Sequence, residues 1–446
     1  MPATQATAPS PVQIILQPLR AGLCAGTTQQ FEVLVRLQAA DLPPQAPYAQ
    51  PRSPHALAVV IDRSGSMRGK PLAEARRCAE FVVSRLAATD VLALVQFDNR
   101  VERLWPAVPL RDGSSVRAAI ERIEAGGTTD LHGGWVHGAD SLSDVAGEGL
   151  KRVILLSDGC ANQGVTDTDE ITQQCAQWAA RGISTSTYGL GDDFNEALMV
   201  AMARAGGGNH YYGDTADDLM EPFERELDLI ARLVLRRLVL HVHAADGVQV
   251  SMVNILERSS DGGWRLADLA AGAEAWALLS VRVAADQVMD VGTLAQVLTV
   301  EVSGQLPDGA PAAIPSASLQ LPVLTAAAYE SLAQDELVVR RRLELEAAET
   351  LARIRELVAE GNWDQVESLL QAARTKYGAS PWLADVLTAM SALAAQREDA
   401  SLMKEMAYFR VVANSRLAES CERAEVGEQP DIPSFLRRKV RQGKGS

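Results

Sequence analysis

The chain has 446 residues, 47% of them hydrophobic and 22% charged, a balance that excludes a disordered or fibrous protein. Lys and Arg number 42 against 57 Asp and Glu, giving a formal charge of −15, which argues against a phosphate-binding surface and so against nucleic acid. The longest apolar runs, such as Leu57–Ile61 and Val153–Leu156, fall far short of the roughly 20 residues that a membrane-crossing helix needs.

The first ten residues, MPATQATAPS, hold no basic residue and no apolar stretch, and read as a loose tail (1–10) rather than a signal peptide. Next comes Phe31-Glu-Val-Leu-Val-Arg-Leu37, with Phe31, Val33, Val35 and Leu37 alternating against Glu32 and Arg36, the period of a half-buried strand. From about residue 54 to 235 the rhythm changes. Continuous apolar runs at Leu57–Ile61, Val91–Val95 and Val153–Leu156 read as strands buried on both faces. Between and after them, Pro71–Leu86, Ser115–Ile123, Leu131–Leu142, Asp169–Ala180, Asn195–Ala205 and Asp217–Leu235 suit helices. Strand and helix in alternation predict a doubly wound, mostly parallel α/β domain over 54–235.

Alternating strands then return at Leu238–His243, Leu279–Val283 and Leu298–Val302, with turn residues such as Asp261-Gly262-Gly263 between them. They pair in expectation with the early strand into an antiparallel β-sandwich of residues 11–53 plus 236–325, into which the α/β domain is inserted. Residues 326–426 are rich in Ala, Leu, Glu and Arg. Breaks at Gly361-Asn362, Gly378–Pro381 and around Asp399 predict an α-helical bundle of four helices. Residues 427–446, with Arg437-Arg-Lys-Val-Arg441 and Lys444, read as a basic flexible tail. Five dispersed cysteines (Cys24, Cys78, Cys160, Cys175, Cys421) form no CxxC pair, which points to free thiols in a reducing, cytoplasmic compartment and away from structural zinc.

The sharpest chemical signal is Asp62-Arg-Ser-Gly-Ser-Met67, directly after the first buried strand. A carboxylate and two hydroxyls at Asp62, Ser64 and Ser66 can converge on one point, and ligands of open α/β sheets bind beyond the carboxyl ends of the strands. Oxygen ligation without Cys or His suits a hard cation such as Mg²⁺ or Ca²⁺. Gly126-Gly-Thr-Thr-Asp130 adds a hydroxyl-bearing loop, and Ser157-Asp158-Gly159 ends another buried strand with a second carboxylate. His132 and His137 read as surface or packing residues, and Asp130 as the N-cap of the following helix. No GxSxG and no base beside a serine supports nucleophilic catalysis, so no catalytic residue is expected.

These three pieces resemble the von Willebrand factor A domain with its metal-ion-dependent adhesion site. The resemblance implies that Ser64, Ser66 and Thr128 ligate the ion directly while Asp62 and Asp158 act through bound water. Thr129 is the alternative to Thr128, and Thr129 and Asp130 are possible outer-shell groups. More loosely, the layout resembles bacterial relatives of the inter-alpha-trypsin-inhibitor heavy chains, which carry Gly-Gly-Gly-Asn-aromatic at the last strand of the A domain, here Gly206-Gly-Gly-Asn-His-Tyr-Tyr212. Hydroxyl ligands leave a cation's charge poorly neutralised, so an Asp or Glu of a protein partner can replace a bound water. The expected function is therefore a non-enzymatic, Mg²⁺-dependent protein-binding module, with Ca²⁺ or Mn²⁺ as other ions. The rival reading is a regulatory adaptor of an AAA-type ATPase or a kinase–phosphatase system. Oligomeric state is not legible.

Overall fold

Residues 56–62, Ala-Leu-Ala-Val-Val-Ile-Asp, are buried along their whole length, as a strand covered on both faces must be. They form the centre of a six-stranded sheet in the computed structural model, which describes residues 12–40, 54–147, 149–159, 161–190, 195–213, 232–307 and 309–397, together with positions 219, 223, 227, 230, 402, 406, 409, 418 and 419. The expected tails 1–10 and 427–446, Cys160, Cys421, Asp399 and the Trp382 side chain lie outside the described residues.

Along this sheet the order is β6 (Val101–Pro109), β5 (Val91–Phe97), β4 (Ala56–Asp62), β7 (Lys151–Ser157), β8 (Ile183–Leu190), β9 (Gly207–Gly213). All neighbours are parallel except β6, which runs antiparallel to β5. From β4 the chain winds outward through α1 (Lys70–Arg85) to β5 and β6. It then returns through α2 (Ser114–Glu121) and α3 (Leu131–Ser143) to β7 on the other side of β4. The strand order reverses between β4 and β7, which is where doubly wound sheets open a crevice at their carboxyl ends. Beyond β7, α4 (Thr168–Ala180) and α5 (Glu196–Ala205) complete the winding. One core joins Leu131, Trp135, Ala139 and Leu142 of α3 to Val60, Val95, Phe97, Val153 and Leu155 of the sheet.

Sequence reading missed β6 and β8. In β8, Thr185, Ser186 and Thr187 are wholly buried, so its polar composition hid a core strand. Each hydroxyl has a tertiary partner: the Trp135 indole N–H donates to Thr185 Oγ1 (3.0 Å), the Asn209 amide donates to Ser186 Oγ (3.2 Å) and Thr187 Oγ1 donates to the Met199 carbonyl (2.8 Å). The Thr187 proton is thereby spent, so the 2.9 Å contact to His210 Nδ1 requires that nitrogen to carry its own hydrogen. The helix expected over Asp217–Leu235 is described at buried Leu219, Phe223, Leu227 and Ile230, and it is over before Leu233, where the next strand begins.

The early and late strands form two sheets around a single core. In one, β1 (Val12–Pro18), β3 (Gln29–Ala39), β14 (Ala273–Val283) and β11 (Val248–Met252) are all antiparallel neighbours. In the other, β12 (Trp264–Arg265), β10 (Leu233–Ala244), β15 (Leu294–Gln305) and β16 (Ala317–Leu324) are antiparallel, as is β13 (Leu269–Ala270) beside β10, whereas β2 (Leu23–Cys24) joins β16 in parallel. Phe31, Val33, Val35 and Leu37 are buried as their alternation requires. The opposite face of β3 is covered too: Leu34 is buried, Arg36 pairs with Glu274 (2.5 Å) and Glu32 with Arg342 (3.4 Å).

Helices follow at α6 (Ala326–Glu330), α7 (Glu336–Ala359), α8 (Trp363–Tyr377) and α9 (Pro381–Ala395), with further helical positions at buried Leu402, Met406 and Phe409. The breaks at Gly361-Asn362 and Gly378–Ser380 stand where the sequence places them. The grouping differs from a single bundle over 326–426. Described residues up to Glu349 cluster with the two sheets, and described residues from Thr350 onward with the α/β sheet. Within the first unit, Arg341 of α7 lies over the Trp276 ring of β14 and is paired in a buried site with Glu344 (2.9 Å). Within the second, Arg355 of the same helix reaches Glu196 at the start of α5 (3.4 Å).

Candidate metal centre

Asp62 is the last residue of β4 and is completely buried, and the chain leaves it through a tight turn, Gly65–Met67. Both carboxylate oxygens are engaged: Oδ1 accepts the Ser64 amide (2.8 Å) and Oδ2 accepts the Ser157 hydroxyl from the end of β7 (2.6 Å). Ser157 Oγ in turn accepts the Gly159 amide (2.8 Å), which fixes the turn that carries Asp158. Burial, followed by the nearby Asp158 charge, pushes the Asp62 carboxyl from 3.8 up to about 7, against the lowering effect of the Ser157 and Ser64 hydrogen bonds. Ser64 Oγ lies 3.1 Å from Ser66 Oγ, with Ser64 buried and Ser66 exposed.

The loop bearing Thr128 is fastened alongside by backbone bonds. The Gly126 amide donates to the Arg63 carbonyl (2.6 Å) and the Gly65 amide to the Gly127 carbonyl (2.8 Å). Asp98, just beyond β5, ties the same pieces together. It accepts the Gly127 amide (3.2 Å) and pairs with the Arg63 guanidinium (3.0 Å). A Cβ at Gly126 would overlap the Asp98 carboxylate as it now stands.

Thus Asp62, Ser64 and Ser66 share one turn, Thr128 is held beside it, and Asp158 follows the adjoining strand. Thr128 is exposed on the crevice rim, whereas Thr129 is buried with its amide given to Asn162 Oδ1 (2.8 Å). Asp130 caps α3 through the Gly133 amide (2.9 Å). His132 bonds Gln174 (2.9 Å) and His137 the Gly133 carbonyl (3.3 Å), local contacts that account for both. Sequence reading missed Ser157, Asp98, Asn162 and Gln163 as parts of this site. Asp98 had a signal, since it follows an apolar run as Asp62 does.

The donor set fits a hard divalent cation on three counts. All the groups are oxygens. Two buried carboxylates repel each other, which a cation relieves. The Ser64–Ser66 spacing of 3.1 Å is near the edge of about 3 Å that an octahedron has at metal–oxygen distances of 2.0–2.1 Å. Among the described residues, no group of three or more His, Cys, Asp or Glu side chains is placed to hold a metal without such hydroxyls.

Comparison with known proteins places this fold. Residues 56–225 match the von Willebrand factor type A domain family. The chain is 26% identical over 202 residues to the uncharacterized protein sll0103 of Synechocystis, covering 45% of this chain and 48% of that one. It is 28% identical over 175 residues to the uncharacterized protein YfbK of Escherichia coli, covering 38% and 30%. Human inter-alpha-trypsin inhibitor heavy chain H3 is 26% identical over 186 residues, covering 39% and 21%. The match therefore spans about half or less of these relatives. Two solved structures share the fold across most of the chain. A von Willebrand factor type A protein from Catenulispora acidiphila has a TM-score of 0.70 at 17% identity, covering 92% of this chain and 98% of that one. The ArnB paralog VWA2 from Sulfolobus acidocaldarius has a TM-score of 0.55 at 18% identity, covering 92% and 100%. With its sheet order, its Asp62–Ser66 turn and its family match in agreement, this chain contains a von Willebrand factor type A domain.

Proposed function

We propose that the domain over 54–235 is a divalent-metal-dependent protein-binding module that captures an Asp or Glu side chain of its partner. Von Willebrand factor type A domains commonly mediate protein–protein binding, often through a metal. The observation that carries the reading here is the pair of hydroxyls 3.1 Å apart above a buried carboxylate, with the Thr128 loop fastened beside them at the sheet's switch point. In this reading Ser64, Ser66 and Thr128 hold the ion directly, and Asp62 and Asp158 balance its charge through water. Mg²⁺ is the ion proposed, with Ca²⁺ or Mn²⁺ as other ions, because every ligand of this reading is an oxygen. When bound, the ion supplies a positively charged coordination position that a partner carboxylate can fill.

The chain's own residues do the rest. Ser157 and the Ser64 amide fix the Asp62 carboxylate, and Asp98 and Arg63 hold the Thr128 loop in place. In this reading the hydroxyls of Ser64, Ser66 and Thr128 are committed to the ion, so binding and not hydrolysis is the activity proposed. No helix among the described residues is long and apolar enough to cross a membrane. The thiols of Cys24 and Cys175, which form no disulfide, support a reducing, cytoplasmic setting.

Affinity capture of partners with the wild-type chain in Mg²⁺, in EDTA and with Asp62→Ala tests this. Partners should be lost in EDTA and with the variant, while circular dichroism stays that of a folded chain. Equal capture in all three conditions removes the metal-bridging function.

A further inference from the structure

Thr128 and its neighbour are clamped by a segment outside the family's three-part motif. After β7 the chain passes Asp158 and returns at Ala161–Gly164 to lie against the Thr128 loop. The amides of Asn162 and Gln163 both donate to the Thr129 carbonyl (3.2 and 3.1 Å), and Asn162 Oδ1 accepts the Thr129 amide (2.8 Å). The Thr128 hydroxyl donates to Gln163 Oε1 in a short 2.5 Å bond. Gly164, with φ of +71°, then turns the segment away hard against the Asp130 cap, where a Cβ would clash with the carboxylate.

A threonine hydroxyl has one proton and two lone pairs. If it ligates a cation while neutral, the proton has to leave the metal side and meet an acceptor. Gln163 Oε1 is that acceptor in this structure. We propose that Gln163 is a positioning residue of the metal site, accepting the hydrogen bond of the Thr128 hydroxyl so that the oxygen's lone pairs are presented to the cation. The proposal rests on the reading of Thr128 as a ligand. The chemistry also explains an amide at this place. It accepts a hydrogen bond as a carboxylate does, but it adds no charge to those of Asp62 and Asp158, so a bound cation would stay electron-poor enough to attract a partner's acid group. Outer partners of metal ligands typically change metal affinity by about 10–100-fold when removed.

Mn²⁺ titration of the full chain, followed by the electron paramagnetic resonance of the free ion, tests this. Gln163→Leu should weaken Mn²⁺ binding about 10–100-fold, whereas Gln163→Glu, which keeps an acceptor and adds charge, should bind at least as tightly as wild type. In a Thr128→Val background Gln163→Leu should have no further effect, because the hydroxyl it serves is gone. Hydrogen exchange at the Thr129 amide, which is held by Asn162, should be unchanged in Gln163→Leu, separating lost proton acceptance from a displaced loop. Wild-type affinity in Gln163→Leu, or an equal loss in the Thr128→Val background, overturns the proposal while leaving the metal site standing. Wild-type Mn²⁺ binding no tighter than that of Asp62→Ala would instead remove the site itself, and this role with it.

Discussion

Replacing Asp62 by Asn should stabilise the metal-free protein at pH 8 while abolishing its response to Mg²⁺. The wild-type carboxyl titrates near 7 in the folded chain, raised from 3.8 first by burial and then by Asp158. Between those values the folded state holds a proton that the unfolded state has lost, so stability falls as pH rises from about 4 to about 7 and is level above. A gap of about three units at about 1.4 kcal/mol each amounts to about 4 kcal/mol at pH 8. Asn imitates the protonated acid and escapes that loss. Its amide, if turned toward Ser157, leaves the Ser157 proton without its present acceptor, at a cost of about 1 kcal/mol at every pH. The variant should therefore be about 1 kcal/mol less stable than wild type at pH 4 and about 3 kcal/mol more stable at pH 8. Urea titrations in EDTA at pH 4, 6 and 8, read by pulsed hydrogen exchange on β4 and β7, isolate the unit that carries the site. Saturating Mg²⁺ at pH 8 should stabilise wild type alone, by mass action. Parallel pH curves for the two proteins would refute the argument, since they would mean that Asp62 bears no buried charge.

His210 acts in the same pH range with the opposite sign. Burial lowers it from 6.5 to about 3, so its contribution is present above 6.5 and is lost by about 1.4 kcal/mol per unit as pH falls toward 3. His210→Gln should remove that acid sensitivity and leave the Asp62 effect exposed, so that urea stability of the variant rises on going from pH 6.5 to 4.5. A fall would contradict it. Gly126→Ala should destabilise the α/β unit by about 1–3 kcal/mol and weaken Mn²⁺ binding, because the new methyl group meets the Asp98 carboxylate and pushes the Thr128 loop outward. Thermal melts beside Mn²⁺ titration measure both, and unchanged binding would show that the loop's position does not matter.

How much was legible follows the range of the forces. Apolar runs at Leu57–Ile61, Val91–Val95 and Val153–Leu156 announced strands covered on both sides, because continuous burial leaves continuous hydrophobicity. The Asp62–Ser66 turn was legible for a similar reason: its donors are two residues apart, so the local chain alone brings them near each other. Strand β8 was not legible, since Thr185, Ser186 and Thr187 are tolerated in the core only because Trp135, Asn209 and Met199 satisfy them from distant parts of the chain. The helical region divides the same way. Its periodicity predicted helices and breaks, but Trp276 beneath Arg341 and Glu196 beside Arg355 decide what each half of α7 packs on.

By itself, then, the sequence determined the alternation of strands and helices and the oxygen-bearing side chains of the Asp62–Ser66 turn, because backbone period and side-chain chemistry are local properties. Tertiary structure alone decided that β4 and β7 lie side by side with Ser157 against Asp62, that Asp98 and Arg63 fasten the Thr128 loop, and that Gln163 reaches the Thr128 hydroxyl. Those contacts join residues 29 to 95 positions apart, and only the packing of the whole sheet brings them within hydrogen-bond reach.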